Sequence, residues 1–224
     1  MANSAITGLV GGGATDITNH NKDFFAHDLI KPVRGKYQPS TSNLRSIDLL
    51  SLDTDLVGFK SSFHDGNYIY LPVCYGSSPS SSVGKIVRVN PKWEESQSLT
   101  NFASVINLSG VNSSYKNFSG GFSDGKYAYL IPYKYGKLVR LDLALWSTGG
   151  NPVAVDLFAY NPIFDSFKSS AFDGRYIYLC PSQTTASPPV GVSLAVRVDT
   201  QNFTSGGIST LDLLTVGYCG DVMT

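Results

Sequence analysis

The sequence predicts an all-β chain built from repeated sheets, and three observations support this prediction. The pattern Asp-Gly-x-Tyr-x-Tyr-Leu occurs three times, within residues 59–72, 118–132 and 167–181. A triplet made of an apolar residue, an acid or amide, and Leu precedes each copy. In all three copies the Asp of Asp-Gly lies 17 positions after the middle residue of the triplet. Helical periodicity is nearly absent. Internal repeats of this kind settle the architecture before any other feature.

Each repeat is predicted to form four strands. The triplet is the first, the Phe-x-Ser/Gly-Ser/Gly segment the second, and Tyr-x-Tyr-Leu the third, because aromatic and β-branched residues favour strands. Asp-Gly supplies the positive φ angles of a tight hairpin turn, and a Val-Arg segment forms the fourth strand. The triplets are centred on Asp48, Asn107, Asp156 and Asp212. A repeated four-stranded antiparallel meander of about 50 residues is typical of β-propeller blades.

The repeat spacing predicts a β-propeller of about four four-stranded blades, the last blade closed by both termini. Triplets recur about every 50 to 60 residues, and the stretches before the first and after the last together make up one more period. Val33 and Arg34 lie where a last-strand Val-Arg belongs, shortly before the first triplet. An open array completed by another subunit and a two-sheet sandwich are the alternatives.

The chain divides into two parts on this interpretation. Residues 1–45 form an N-terminal Gly-rich arm plus one or more strands that contribute to the closing blade, and residues 46–224 hold the propeller repeats. The repeats are expected at residues 46–103, 104–152, 153–207 and 208–224, the last of them partial. Two Ser/Pro/Gly-rich loops, 76–84 and 182–192, interrupt them. Loops on a rigid scaffold are where recognition is expected.

Composition excludes several classes of function. Lys+Arg and Asp+Glu are both 17, so the net charge is zero, and no basic field exists to attract nucleic acid or anionic lipid. A neutral surface favours association, so the expected partners are other protein subunits in a homo- or hetero-oligomer. No apolar run approaches the roughly 18 residues of a membrane-spanning helix, and the N-terminus lacks the features of a signal peptide. Nucleic acid and membrane insertion are therefore not expected.

The search for catalytic and metal-binding residues predicts none. No nucleophile elbow, zinc-protease motif or phosphate-binding loop is present. The aspartates of the three Asp-Gly pairs could meet around a tunnel as in propeller glycosidases, yet Asp before Gly at a hairpin serves the turn itself. The cysteines lack CxxC spacing, and the His/Asp cluster within residues 20–28 is unpatterned. We therefore predict a protein that is not an enzyme and has no cofactor.

Repeated arginines and tyrosines are the candidates for ligand binding or for contact between blades. They could form a ring of guanidinium groups and aromatic platforms that binds an anion or a sugar. They could instead stack on one another and hold neighbouring blades in register. This structural role is favoured because the same residues recur in every repeat. The candidates are Arg88, Arg140, Arg197, Tyr70, Tyr129 and Tyr178.

The stretch from Phe172 to Leu179, together with the later Val-Arg-Val-Asp, resembles short β-meander repeats of bacterial and phage β-propeller proteins. The resemblance extends over most of residues 46–216 and implies an architecture, not a function, because propellers host enzymes, lectins and scaffolds alike. The hypothesis is a non-catalytic structural or attachment module of a larger assembly, such as a phage virion or tail component. The alternative is a carbohydrate-binding, lectin-like or glycoside-cleaving propeller that recognises a surface glycan.

Overall fold

The computed structural model describes residues 46–75, 83–92, 97–181 and 194–212. These residues are mostly β and form three sheets of four antiparallel strands. All three sheets belong to the compact unit Asp48–Thr224; the other unit, Met1–Ile47, lies almost wholly outside the described residues. The predicted arm, most of the two predicted loops and the chain after residue 212 also lie outside them.

Every sheet is an up-and-down meander in which strands pair in chain order. Sheet I contains β1 (Phe63–His64), β2 (Ile69–Pro72), β3 (Lys85–Val89) and β4 (Ala103–Asn107). Sheet II contains β5 (Phe118–Ser123), β6 (Tyr127–Pro132), β7 (Lys137–Asp142) and β8 (Val153–Asp156). Sheet III contains β9 (Phe167–Phe172), β10 (Tyr176–Pro181), β11 (Leu194–Asp199) and β12 (Ile208–Asp212). The prediction of four-stranded antiparallel units is thereby confirmed for three sheets.

The triplet strand completes a sheet rather than beginning one. Ile106 pairs with Ile86 of β3, Val155 with Leu138 of β7, and Leu211 with Ala195 of β11, so the second, third and fourth triplets contribute the outer strand of the sheet formed by the preceding repeat. No described strand includes the first triplet, whose Leu49 begins a 3-10 turn. The Val-Arg strand and the triplet that follows it are joined by a connection that contains a short helix or 3-10 turn, and they pair as antiparallel neighbours. The predicted repeat boundaries consequently fall one strand before the boundaries of the sheets.

Helical segments are short and serve as connections. α1 (Leu99–Phe102) and α2 (Leu157–Tyr160) have four residues each, and the rest are 3-10 turns such as Leu143–Thr148. Several begin at an Asp whose carboxylate accepts a backbone N–H of the first turn: Asp156 accepts from Ala159 at 3.0 Å, a favourable N-cap. None of the described helices is long and apolar enough to cross a membrane.

The core lies between successive sheets. One cluster of buried side chains joins sheets I and II, and a second joins sheets II and III. Tyr70, Phe118, Tyr129 and Phe167 are among the largest fully buried side chains. Glycine on β5 allows close packing, because a Cβ at Gly121 would lie 2.7 Å from the ring of Phe63. Gly121 therefore permits close contact between sheets I and II.

Candidate functional site

The structure brings the six candidate residues together as three cross-strand pairs. Each Arg lies directly opposite the second Tyr of the Tyr-x-Tyr segment in its own sheet, so the two side chains share one face. This register was not predicted, because the sequence does not show which residues of neighbouring strands stand opposite each other. The pairs are Tyr70 with Arg88, Tyr129 with Arg140, and Tyr178 with Arg197.

The first tyrosine of each Tyr-x-Tyr segment lies beneath the guanidinium group. The guanidinium carbon is 4.3 Å from the Tyr68 ring centre in sheet I, 4.6 Å from that of Tyr127 in sheet II and 4.4 Å from that of Tyr176 in sheet III. These distances lie within the range of cation–π attraction. Stacking on tyrosine, one of the two predicted roles of the arginines, is thus present in every described sheet.

In sheets I and II the same guanidinium is covered by an aromatic residue from the connection between the last two strands of the next sheet. The Arg88 carbon lies 4.8 Å from the ring centre of Trp146, and the Arg140 carbon lies 4.6 Å from that of Phe203. Arg140 also donates to the backbone carbonyl of Thr200 at 3.3 Å. Each of these arginines therefore contacts both its own sheet and the following one.

Arg197 in sheet III has a different environment. It is exposed, and its Nε donates to the hydroxyl of Ser209 at 3.0 Å. The paired Tyr178 is 39% exposed, whereas Tyr70 is 0% and Tyr129 is 1% exposed. A cavity of about 270 Å³ is lined by Tyr178, Arg197, Ser209 and Leu211, among others. Among the described residues, no aromatic side chain of a further sheet covers this guanidinium.

The aspartate of each Asp-Gly turn is held by both the backbone and a tyrosine. In sheet I, Asp65 Oδ1 accepts the backbone N–H groups of Asn67 and Tyr68 at 2.8 and 2.7 Å, and Oδ2 accepts the Tyr70 hydroxyl at 2.7 Å. The same set of contacts recurs in sheets II and III. The predicted turn role of these aspartates is confirmed.

These hydrogen bonds favour the charged carboxylate and the neutral phenol. Burial works against the charge on Asp65, but hydrogen bonds from the Tyr68 backbone and the Tyr70 hydroxyl outweigh it, so its pKa lies below the ordinary value. Backbone hydrogen bonds from Tyr176 and Arg175 likewise lower the pKa of Asp173. Burial, followed by the hydrogen bond to Asp65, raises the pKa of Tyr70 well above its ordinary value. A catalytic acid needs the opposite shift of a carboxyl pKa.

Two members of this network were missed by the sequence analysis. Trp146 and Phe203 each follow the Arg of their own sheet by six positions, which is the signal that could have identified them. Metal-ligating side chains are not grouped in threes anywhere in the described ranges. The His/Asp cluster within residues 20–28 lies outside those ranges.

No family model and no curated protein matches the chain. Solved structures with some similarity include apo AztD from Citrobacter koseri, with 14% identity, a TM-score of 0.38 and coverage of 70% of this chain and 47% of that chain. A hemopexin fold protein, CP4 from cow pea, has 14% identity and a TM-score of 0.34, with coverage of 80% and 83%. A plant albumin from Cicer arietinum showing hemagglutination has 12% identity and a TM-score of 0.32, with coverage of 66% and 64%. This chain spans less than two thirds of AztD and of the albumin.

Proposed function

We propose that this protein is a non-catalytic structural or attachment module of a larger assembly, such as a phage virion or tail. The observation that supports the proposal is that the repeated reactive side chains of sheets I and II are engaged in the scaffold. Arg88 is stacked between Tyr68 and Trp146, and Asp65 accepts two backbone N–H groups and a tyrosine hydroxyl. Side chains held by such stacking and hydrogen bonds fix the geometry of the scaffold and are not available to bind a substrate.

The proposed architecture is a propeller of about four blades, the last closed by both termini. Support comes from the order of packing, since sheets I to III contact one another in chain order through two buried clusters. It also comes from Val33 and Arg34, which repeat the Val-Arg pattern ahead of the first triplet. A ring leaves only short, protected strand edges, which suits a component exposed to solvent for long periods.

Contact with other subunits or with a surface glycan requires exposed side chains outside this network. Tyr135, Phe158 and Tyr160 are 42%, 45% and 45% exposed. The turn at Gly136 lies directly against Phe158, because a Cβ there would be 2.8 Å from the Phe158 Cβ. Exposed apolar side chains on one part of a surface mark interaction sites, and Phe158 and Tyr160 belong to the same short helix, α2. We call Tyr135, Phe158 and Tyr160 the aromatic patch and assign the contact with the assembly to it.

Carbohydrate binding is the second candidate function, and the aromatic patch is the observation that favours it. Aromatic rings offer flat apolar faces with polar edges, which match the faces of sugar rings. Asp65 and Asp173 are unsuited to be the general acid of a glycosidase, because their pKa lies below the ordinary value. The proposed module is therefore one that attaches, either to protein subunits or to a glycan, without turnover.

Two assays on the purified full chain test the proposal. A panel of chromogenic glycosides measures catalysis, and we expect no hydrolysis above buffer; turnover that is lost in Asp124→Asn would overturn the non-catalytic proposal. A glycan array then measures attachment. Binding that is lost in Phe158→Ala and Tyr160→Ala, but retained in the control Leu145→Ala, would establish the carbohydrate-binding alternative. Leu145 is a suitable control because it is similarly exposed, at 41%.

A further inference from the structure

The Asp-Gly turns of the three sheets contain a backbone sequence that can rearrange chemically. The backbone nitrogen of Gly can attack the side-chain carboxyl carbon of the preceding Asp, since glycine has no side chain to hinder the close approach. A C–N bond forms, and the amide proton and the carboxyl OH leave together as water, which gives a cyclic succinimide. Addition of water to either carbonyl of this ring then yields Asp or isoaspartate. The rearrangement therefore needs no reactant other than water.

The contacts of the turn carboxylates oppose this reaction. Oδ1 of Asp124 accepts the backbone N–H groups of Lys126 and Tyr127 at 2.9 and 2.7 Å, and Oδ2 accepts the Tyr129 hydroxyl at 2.9 Å. These donors stabilise the ionised carboxylate, whereas cyclisation consumes the protonated acid, whose OH can leave as water. They also hold both oxygens in place, so the carboxyl carbon is not free to turn towards the backbone nitrogen of Gly125. Loss of any of these contacts should therefore accelerate cyclisation.

The tyrosine that holds the carboxylate is buried in sheets I and II but exposed in sheet III. Tyr70 is 0% and Tyr129 is 1% exposed, whereas Tyr178 is 39% exposed. The Tyr178 hydroxyl donates to Oδ2 of Asp173 at 2.9 Å, but water competes for both partners of a hydrogen bond at an exposed site and so reduces its net strength. The carboxylate of Asp173 is therefore released more often than the carboxylates held by the two buried tyrosines.

The attacking nitrogen also has a hydrogen-bond partner in sheet II. The backbone N–H of Gly125 donates to the hydroxyl of Ser123 at 2.9 Å, which fixes the orientation of this peptide group. The residue before the Asp is His64 in sheet I and Phe172 in sheet III, and neither has a hydroxyl group. Of the three turns, the one at Asp173 thus combines an exposed tyrosine with a preceding residue that offers no such acceptor.

We propose that the tyrosine hydroxyl of each repeat protects its Asp-Gly turn against isomerisation, and that Asp173 is the turn residue that is converted to isoaspartate. In isoaspartate the main chain runs through the former side-chain carboxyl carbon. The conversion therefore lengthens the turn between β9 and β10 and moves the carboxylate away from Tyr178. This modification goes beyond the attachment role and does not depend on it, because the turn contains none of the residues of the aromatic patch.

Ageing of the purified full-length chain tests the order of reactivity. The protein is incubated at neutral pH and physiological temperature, and isoaspartate at each turn is quantified by digestion and electron-transfer fragmentation, which distinguishes it from Asp. The urea-unfolded chain gives the reference rate of each site. We expect the folded rate at Asp173, as a fraction of its unfolded rate, to be about 10-fold or more above the fractions at Asp65 and Asp124. Equal protection of all three turns, or stronger protection of Asp173, would overturn the proposal.

Removal of one hydroxyl tests the protection itself. Tyr129→Phe is expected to raise the rate of isoaspartate formation at Asp124 about 10-fold and to leave the rates at Asp65 and Asp173 unchanged. These two turns are internal controls, because general destabilisation of the fold raises all three rates. Tyr160→Phe, on a tyrosine that is 45% exposed, is the matched substitution and should change none of them. An unchanged rate at Asp124 in Tyr129→Phe, or an equal rise at all three turns, would contradict the proposal.

Discussion

Trp146 of sheet II stacks on Arg88 of sheet I, with 4.8 Å between the guanidinium carbon and the ring centre, and its indole N–H donates to Ser104 of sheet I at 2.9 Å. It also meets Tyr70 edge-on, at 5.4 Å between ring centres. One side chain thus makes an apolar, a cation–π and a hydrogen-bonding contact across the boundary between two sheets. The contacts of Trp146 with Arg88, Ser104 and Tyr70 therefore fix sheet I against sheet II.

Truncation of Trp146 should test this role. Trp146→Ala removes a 4%-exposed side chain and leaves a cavity between the sheets, so we expect a loss of about 3 to 5 kcal/mol in the free energy of unfolding. Trp146→Phe keeps much of the apolar contact and should cost less. Urea unfolding measures both, with the exposed Leu145→Ala as control. A Trp146→Ala variant as stable as the control would show that the boundary does not depend on this side chain.

Removal of a single hydroxyl tests the Asp–Tyr contact. Tyr129→Phe deletes the donor to Asp124 Oδ2, at 2.9 Å, on a side chain that is 1% exposed. We expect a loss of about 1 to 2 kcal/mol, because a charged acceptor loses one of its partners. Tyr160→Phe, on a tyrosine that is 45% exposed, is the matched control and should be neutral. Similar losses in thermal unfolding for the two variants would contradict the assignment.

Alanine substitution at two glycines distinguishes the cost of backbone strain from the cost of too little space for a side chain. Gly125 in the second Asp-Gly turn has φ of 92°, whereas Gly110 has no positive φ, and a Cβ at either position would meet nothing within 4 Å. Gly125→Ala should therefore cost about 1 to 2 kcal/mol through backbone strain alone, and Gly110→Ala should be neutral or slightly stabilising. Chemical denaturation measures the difference. Equal stabilities would mean that the turn relaxes to accommodate Ala.

Acid should weaken the fold through the Asp-Gly turns. The pKa of Asp65 is lower in the folded protein than its ordinary value, so the folded state binds its proton less readily than the unfolded state does. The stabilisation is present above the unfolded pKa of about 3.9 and is lost as the pH falls through the lower folded pKa. We expect urea midpoints to fall below about pH 4, with a shallower fall in Asp65→Asn. An identical pH dependence in the variant would exclude this carboxylate as a cause.

Local features of the fold were predictable from the sequence, and contacts between sheets were not. Asp-Gly and Tyr-x-Tyr encode a turn and a strand within a few residues, so the hairpins at Asp65, Asp124 and Asp173 follow directly from them. The repeat did not predict that a triplet pairs with the strands before it and not with those after it, because a periodic sequence does not show where one structural unit begins. The stacking of Phe203 on Arg140 joins residues far apart in the chain, and only the packing of two sheets brings them together.

Because the triplet strand completes the preceding sheet, the chain could lose or gain a whole repeat without changing the number of strands in any sheet. Residues 104–152 begin within β4 and end after β7, so they contain parts of two sheets rather than one whole sheet. If this segment were deleted, β3 would be followed by β8, which has the same pattern as β4 and could take its place as the outer strand. Loss or gain of a whole repeat would therefore leave every sheet with four strands. Duplication could enlarge such a protein step by step without ever exposing an unpaired strand.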